Sequence, residues 1–376
     1  MNSIEKEITN LSGYRLPFEG NKHLGTIIML PYREDTWRNE AKDAIEEYLN
    51  VVKAISKHEM VIVVIDPRID YKTVSRFQMK NTHILRIKYD DAWARDIMPI
   101  FMVNDNDDIV GIDFAFNAWG GEYNGLYSSW ADDDNAAKIA LLDLMIPRFS
   151  KKDFILEGGS ICSNGNGILL TTECCLLSKG RNANLSKEEI EKVLKDTLNL
   201  NEVIFLPNGV YEDETDGHVD NIACFLDENT IALGMSDDIN DPQYKLSLEN
   251  YEFLNNLNKN RENKFKIIRM PLPKPLYMSE EESKGIKSSD ESIARLSGRR
   301  LAASYVNFYQ GEDFVILPQF NVPEDKIAYD ILNEFYQGKK EIIPIYSREI
   351  LLGGGNIHCI TMQIPFTKKI IIEPEE

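Results

Sequence analysis

Short apolar runs alternate with amphipathic stretches along most of the chain. Thr26-Ile27-Ile28-Met29-Leu30 and Val61-Ile62-Val63-Val64-Ile65 are brief and rich in β-branched residues, so they read as buried strands. Between such runs, apolar positions recur at helical spacing over Trp37 to Ser56, Asn135 to Phe149, Ser186 to Leu198, Tyr244 to Lys259 and Asp325 to Gln337. Ser186 is placed to cap the third of these, with Glu188 and Glu189 in the first turn. Strands alternating with helices predict an α/β fold.

A second layer of order is repetition. Asp96-Ile97 leads through Ile100 to Val103, then a polar turn, to Ile109 to Ile112. Glu157 to Cys162 leads to Ile168 to Thr171, and His218 to Cys224 leads to Thr230 to Leu233. Ala303 to Phe308 before Phe314 to Leu317, and Asn356 to Ile360 before Lys369 to Ile372, fit the same layout. The interval from Asp96 to Glu157 is 61 residues, and that from Glu157 to His218 is again 61. Three ionisable residues thus each precede a hairpin in a repeated ββα-type module. Modules set around an axis would bring those turns to one central site. The charged, serine-rich stretch 279–300 reads as an exposed connection or flap over one face. No other stretch divides the chain, so one domain over 1–376 is expected.

Composition narrows the partners. With 43% apolar and 27% charged residues, the 376-residue chain can bury a core without disulfides or metals. Met1 to Glu7 carries no apolar run behind a basic segment, and the run at Met60 to Ile65 is too short to span a bilayer, so a cytoplasmic location is expected. A net charge of −19 argues against nucleic acid and anionic membranes, and suits a cationic small molecule. Solubility alone also explains many acidic chains. Cys162, Cys174, Cys175, Cys224 and Cys359 form no CxxC pair, which argues against structural zinc or a disulfide framework.

Four segments carry candidate chemistry. Gly353-Gly354-Gly355-Asn356-Ile357-His358-Cys359 sets a cysteine behind a glycine turn through which backbone can approach a ligand. A thiolate nucleophile and a cysteine merely packed behind the turn both fit. If the chain extends after Gly217, His218 and Asp220 share a face and offer a proton carrier beside a carboxylate. A metal would use the same pair, but no further histidine has matching ligand spacing. Trp93 stands three positions before Asp96, and Glu157 lies beside two glycines. Alone, each could be a solvated or ion-paired turn charge. Together they suit a guanidinium, a planar cation with five N–H donors that carboxylates grip and an aromatic wall covers.

These segments resemble those of the agmatine deiminases, relatives of arginine deiminases and bacterial-type peptidylarginine deiminases. The resemblance rests on Trp93-Ala94-Arg95-Asp96, Leu156 to Ile161, Thr215 to Asn221, Leu301 to Tyr309 and Leu352 to Thr361, in the family's order over nearly the whole chain. It implies a five-bladed, pseudo-symmetric α/β propeller of ββαβ-type repeats and a homo-oligomer. It also implies hydrolysis of agmatine to N-carbamoylputrescine and ammonia without a cofactor or metal. By carry-over, Cys359 would be the nucleophile and His218 the general acid and base. Asp96 and Asp220 would grip the guanidinium, Glu157 would orient substrate or His218, and Trp93 and Gly354 would line the pocket. Ile97-Met98 and Met362 depart from the usual pattern at motif edges and leave the ionisable residues intact.

The substrate's far end separates the rivals. Agmatine ends in an ammonium, which Glu214 or Asp213 could attract. Free arginine adds a carboxylate that calls for an arginine clamp, and the sequence identifies none. Peptidylarginine deimination, amidino transfer to an amine, and a catalytically silent scaffold are the other readings.

Overall fold

In the computed structural model, residues 6–374 are described; the first five residues, part of the start judged above to lack a leader pattern, lie outside them. Parallel strands need a long crossover, and helices supply it in the same way five times. Strands Ile100–Asn104 and Ile109–Ala115 pair antiparallel, helix Ala131–Asp143 crosses back, and Arg148–Ile155 joins parallel to the second strand. Cys162–Ser163, Ile168–Thr172, helix Lys187–Leu198 and Glu202–Leu206 repeat this connectivity. So do Ala223–Asp227, Thr230–Met235, helix Pro242–Lys259 and Lys266–Pro271. The fourth copy is Tyr309–Gln310, Phe314–Gln319, helix Glu324–Tyr336 and Glu341–Tyr346.

The fifth copy joins the two ends of the chain. Thr361–Pro365 pairs antiparallel with His23–Met29, helix Lys42–Ile55 crosses over, and Met60–Ile65 and Thr82–Arg86 add in parallel. This corrects one expectation: Lys369 to Ile372 forms no strand, and the partner of the last hairpin comes from the N-terminal region. The result is a mixed α/β fold of several small mixed sheets. Middle strands such as Thr230–Met235 are buried along their whole length, as a strand covered on both faces must be. Each fully buried valine or isoleucine side chain in them contributes roughly 1.5–3 kcal/mol.

The helices fall close to their expected places. Ser186 caps Lys187–Leu198 in a reciprocal capping box with Glu189. The first helix begins only at Lys42, because Asn39, Glu40 and Ala41 take positive φ, which cannot continue a right-handed helix. The second lies earlier than expected, at Ala131–Asp143. Its acidic run Asp132 to Asp134 forms the first turn, where carboxylates face the helix N-terminus, and Phe149 belongs to the next strand.

Stretch 279–300 is largely exposed but tied down. It contains the short helix Glu280–Lys284, and its backbone bonds Asn39, Lys287 to Glu34, Glu291 to Ser128 and Ile293 to Leu126. Among the described residues, no helix is long and apolar enough to cross a membrane.

Candidate active site

Turns from separate repeats meet around Gly159. A methyl group there would lie 2.6 Å from His218 Nδ1, 2.8 Å from Asp96 Oδ1 and 2.9 Å from Asp220 Oδ2, so the position has room only for hydrogen. Asp96 and the pair His218 and Asp220, far apart in sequence, are therefore neighbours in space.

Asp96 sits in the single-turn helix Ala94–Ile97, and its carboxylate accepts from Trp119 Nε1 and from the Gly159 backbone N–H, each at 2.8 Å. Burial pushes its pKa up, His218 opposes this, and Asp220 and Glu157 add to it. His218 does not begin a strand, contrary to expectation. Asp216 and Gly217 take positive φ, and Val219–Asn221 forms a 3-10 turn before the strand starts at Ala223. His218 and Asp220 still converge, because the turn, and not strand alternation, aims them. His218 Nδ1 lies 3.8 Å from Asp96 Oδ2, and its Nε2 is buried with no hydrogen-bond partner among the described residues.

Cys359 is 6% exposed. Its sulfur lies 3.2 Å from Asn307 Nδ2 and 3.5 Å from Asp220 Oδ2. Burial, then Asp220 and Asp96, push the thiol well above its usual range. Asn307 Oδ1 also accepts from the backbone N–H groups of His358 and Cys359, at 3.0 and 3.4 Å, and so clasps the cysteine loop. Asp220 Oδ2 accepts from His358 Nδ1 at 2.8 Å, while Asp220 Oδ1 is buried without a partner among the described residues.

The glycine run is explained by what surrounds it. A side chain at Gly353 would strike Trp37, and one at Gly355 would strike Trp93 and Cys359. Gly354 takes φ +117°, and a Cβ there would reach 2.2 Å from Glu214 Oε1. The Trp93 indole stacks on Trp37 at 5.2 Å and meets Trp119 edge-on at 6.5 Å. A cavity is lined by Trp93, Asp96, Trp119, His218, Gly354 and Cys359 among others.

Two candidate acids have partners that sequence alone did not reveal. Glu157 is fully buried 2.6 Å from Arg181 Nε. Glu157, Cys175 and His218 bring potential ligand atoms within 4.8 Å of one another. The Arg181 guanidinium already on Glu157, and a Cys175 thiol pushed up by burial, make a poor donor set for a cation. Glu214 borders the cavity, but its carboxylate is shared by Arg295 at 3.0 Å and Arg299 at 2.9 Å, both from the 279–300 strap. Its expected pull on an ammonium is thus largely spent, and arginines that sequence did not place do stand at the cavity edge. Asp213 accepts from Thr215 and Asn221 within its own turn.

Asn307, Trp119, Arg181 and His358 were missed. Only Asn307 and His358 left a signal, lying inside segments already singled out.

A family model described as Porphyromonas-type peptidyl-arginine deiminase matches residues 15–365. A Listeria monocytogenes serotype 4b protein named "Putative agmatine deiminase 1" is 44% identical over 354 residues, covering 94% of this chain and 96% of its own. The solved agmatine deiminase of Enterococcus faecalis superposes with a TM-score of 0.91 at 35% identity, over 96% of this chain and 99% of that one. A C. jejuni agmatine deiminase with substrate bound does so with a TM-score of 0.82 at 28% identity, over 96% and 99%. Motif order, fold and length of match agree, and the chain belongs to the Porphyromonas-type peptidyl-arginine deiminase family.

Proposed function

We propose that this protein hydrolyses agmatine to N-carbamoylputrescine and ammonia, with Cys359 as nucleophile and His218 as proton carrier. The observation that supports this most is convergence. Cys359 sulfur lies 3.5 Å from Asp220, and Asp96, His218, Trp93 and Trp119 line the same cavity. Two carboxylates beneath an indole wall complement a planar cation. The unpartnered Asp220 Oδ1 is an acceptor for one of its N–H donors. Relatives bearing agmatine in their names favour agmatine over other guanidines.

In this mechanism the empty site keeps the thiol protonated, and the entering guanidinium supplies the positive charge that favours thiolate. As the thiol passes its proton to His218, the sulfur attacks the guanidinium carbon. A C–N bond breaks, ammonia leaves with a proton from His218, and an amidino-thioether remains on Cys359. Water then attacks that carbon and gives a proton to His218. The C–S bond breaks, releasing the ureido product and the cysteine. Glu157, held by Arg181, orients His218.

A small substrate, in preference to a peptide, is supported by the burial of Cys359 and by the strap along the cavity edge. The five like-connected units support a five-bladed α/β propeller in one domain, with 279–300 as its strap. A cytoplasmic homo-oligomer completes the proposal, on family resemblance.

The test is a colorimetric assay for ureido product with agmatine, arginine and a peptidyl-arginine, repeated with ornithine or glycine present to detect amidino transfer. Agmatine is expected to dominate. Cys359→Ala should abolish turnover while calorimetry still detects agmatine binding. Undiminished activity in that variant, or a preference for arginine, refutes the proposal.

A further inference from the structure

Behind the site runs a buried chain of charge with no assigned part in the reaction. Glu19, just ahead of the first long strand, places Oε2 2.9 Å from His358 Nε2, and His358 Nδ1 lies 2.8 Å from Asp220 Oδ2. Side chains of all three are at most 14% exposed. A ring with a carboxylate against each nitrogen satisfies both only as the imidazolium, since neutral histidine has a single N–H.

We propose that His358, braced by Glu19, is a positioning residue for the deimination. It holds Asp220 by one oxygen, so that the other faces the guanidinium, and it offsets part of the negative charge beside Cys359. The proposal rests on the guanidinium site described above. The charged groups around the ring are Glu19, Asp220 and Arg95, whose Nη1 lies 3.4 Å from Glu19 and whose Nε donates to the His358 carbonyl at 3.3 Å. Burial and Arg95 work against the imidazolium; Glu19 and Asp220 outweigh them, and its pKa is raised. The main-chain N–H of His358 is held by Asn307, so one loop fixes both Asp220 and the nucleophile.

The experiment compares wild type, Glu19→Gln and His358→Gln. Loss of Asp220 alignment should lower kcat/KM for agmatine on the order of 10–100-fold. In Glu19→Gln, His358 loses a carboxylate worth roughly 1–3 pKa units, so the alkaline limb of the kcat/KM profile should shift toward acid by about that much. Iodoacetamide alkylation of the Cys359 peptide, followed by mass spectrometry without agmatine, should move to higher pH in His358→Gln, because the thiol loses a nearby cation. This readout tests the relay even if agmatine is not the substrate. Failure of the wild type to process agmatine would count against the proposed function alone. Variants with wild-type pH profiles, kcat/KM within threefold and unchanged alkylation overturn the positioning role. Glu19→Gln, at the outer end of the chain, keeps the test decisive if His358→Gln fails to fold.

Discussion

Asp220→Asn should move two properties of the same site in opposite directions. Asp220 is 3% exposed, with Oδ2 held by His358 and Oδ1 buried without a hydrogen-bond partner among the described residues. Removing its charge takes away one of two carboxylates proposed to grip the guanidinium. Loss of one partner from a buried ion pair costs about 3–5 kcal/mol, so kcat/KM for agmatine should fall roughly 10²–10⁴-fold. The free thiol should respond the other way. For two unit charges at the 3.5 Å separating Asp220 from the Cys359 sulfur, Coulomb's law gives about 5 kcal/mol at an effective dielectric of about 20. Even about 1 kcal/mol of relief raises the thiolate population about fivefold. Alkylation by neutral iodoacetamide reads that population without any guanidine chemistry. The variant should therefore be a far poorer enzyme with a more reactive cysteine. A structural disruption would depress both, and a bystander would change neither. Alkylation no faster than wild type, or turnover within tenfold of it, refutes the reasoning.

Two further predictions concern stability. Glu47 is 6% exposed, accepts from the Ile350 N–H at the start of helix Arg348–Gly353, and is pushed up by burial to about 8. The folded state keeps this proton up to about pH 8, while the unfolded chain releases it near 4.5. Stability should thus decline through that window by up to about 1.4 kcal/mol per pH unit, and Glu47→Gln should remove the decline in denaturant titrations at several pH values. Ser186→Ala removes a capping box and should cost about 0.5–2 kcal/mol in thermal or urea unfolding, with kcat unchanged. Its helix packs into a core that shares no residue with the cavity lining.

Much of the fold was legible because each repeat is a local object. Hairpins at Ile100–Asn104 with Ile109–Ala115, and at Ala223–Asp227 with Thr230–Met235, follow from apolar runs flanking polar turns. The fifth unit was not legible in the same way. Thr361–Pro365 pairs with His23–Met29 from the far end of the chain, and nothing in the local pattern names that partner. Lys369 to Ile372 offered a nearby run of the right character, and proximity in sequence proved the weaker guide. The second helix starts before the expected Asn135 because the acidic run Asp132 to Asp134 suits a helix N-terminus.

The site divides along the same line. Residues whose identity already implies chemistry, Cys359, His218, Asp96 and Asp220, could be picked from motifs, and the structure gathers them about Gly159 and one cavity. Their partners could not, because a partner is defined only by folding. Nothing in the motifs around Glu214 and Glu157 names their partners, yet Glu214 is divided between Arg295 and Arg299 and Glu157 is set against Arg181. Of the acids singled out from sequence, Asp96 and Asp220 have no arginine or lysine partner among the described residues, and both sit within reach of the same sulfur's field. Their nearest cationic partners are histidines, His218 beside Asp96 and His358 beside Asp220, so negative charge remains for an arriving cation to neutralise. In the proposed reaction, selectivity for a guanidinium then follows from this residual negative charge as much as from the shape of the walls, which is why restoring neutrality at Asp220 by mutation should free the thiol and cripple the enzyme together.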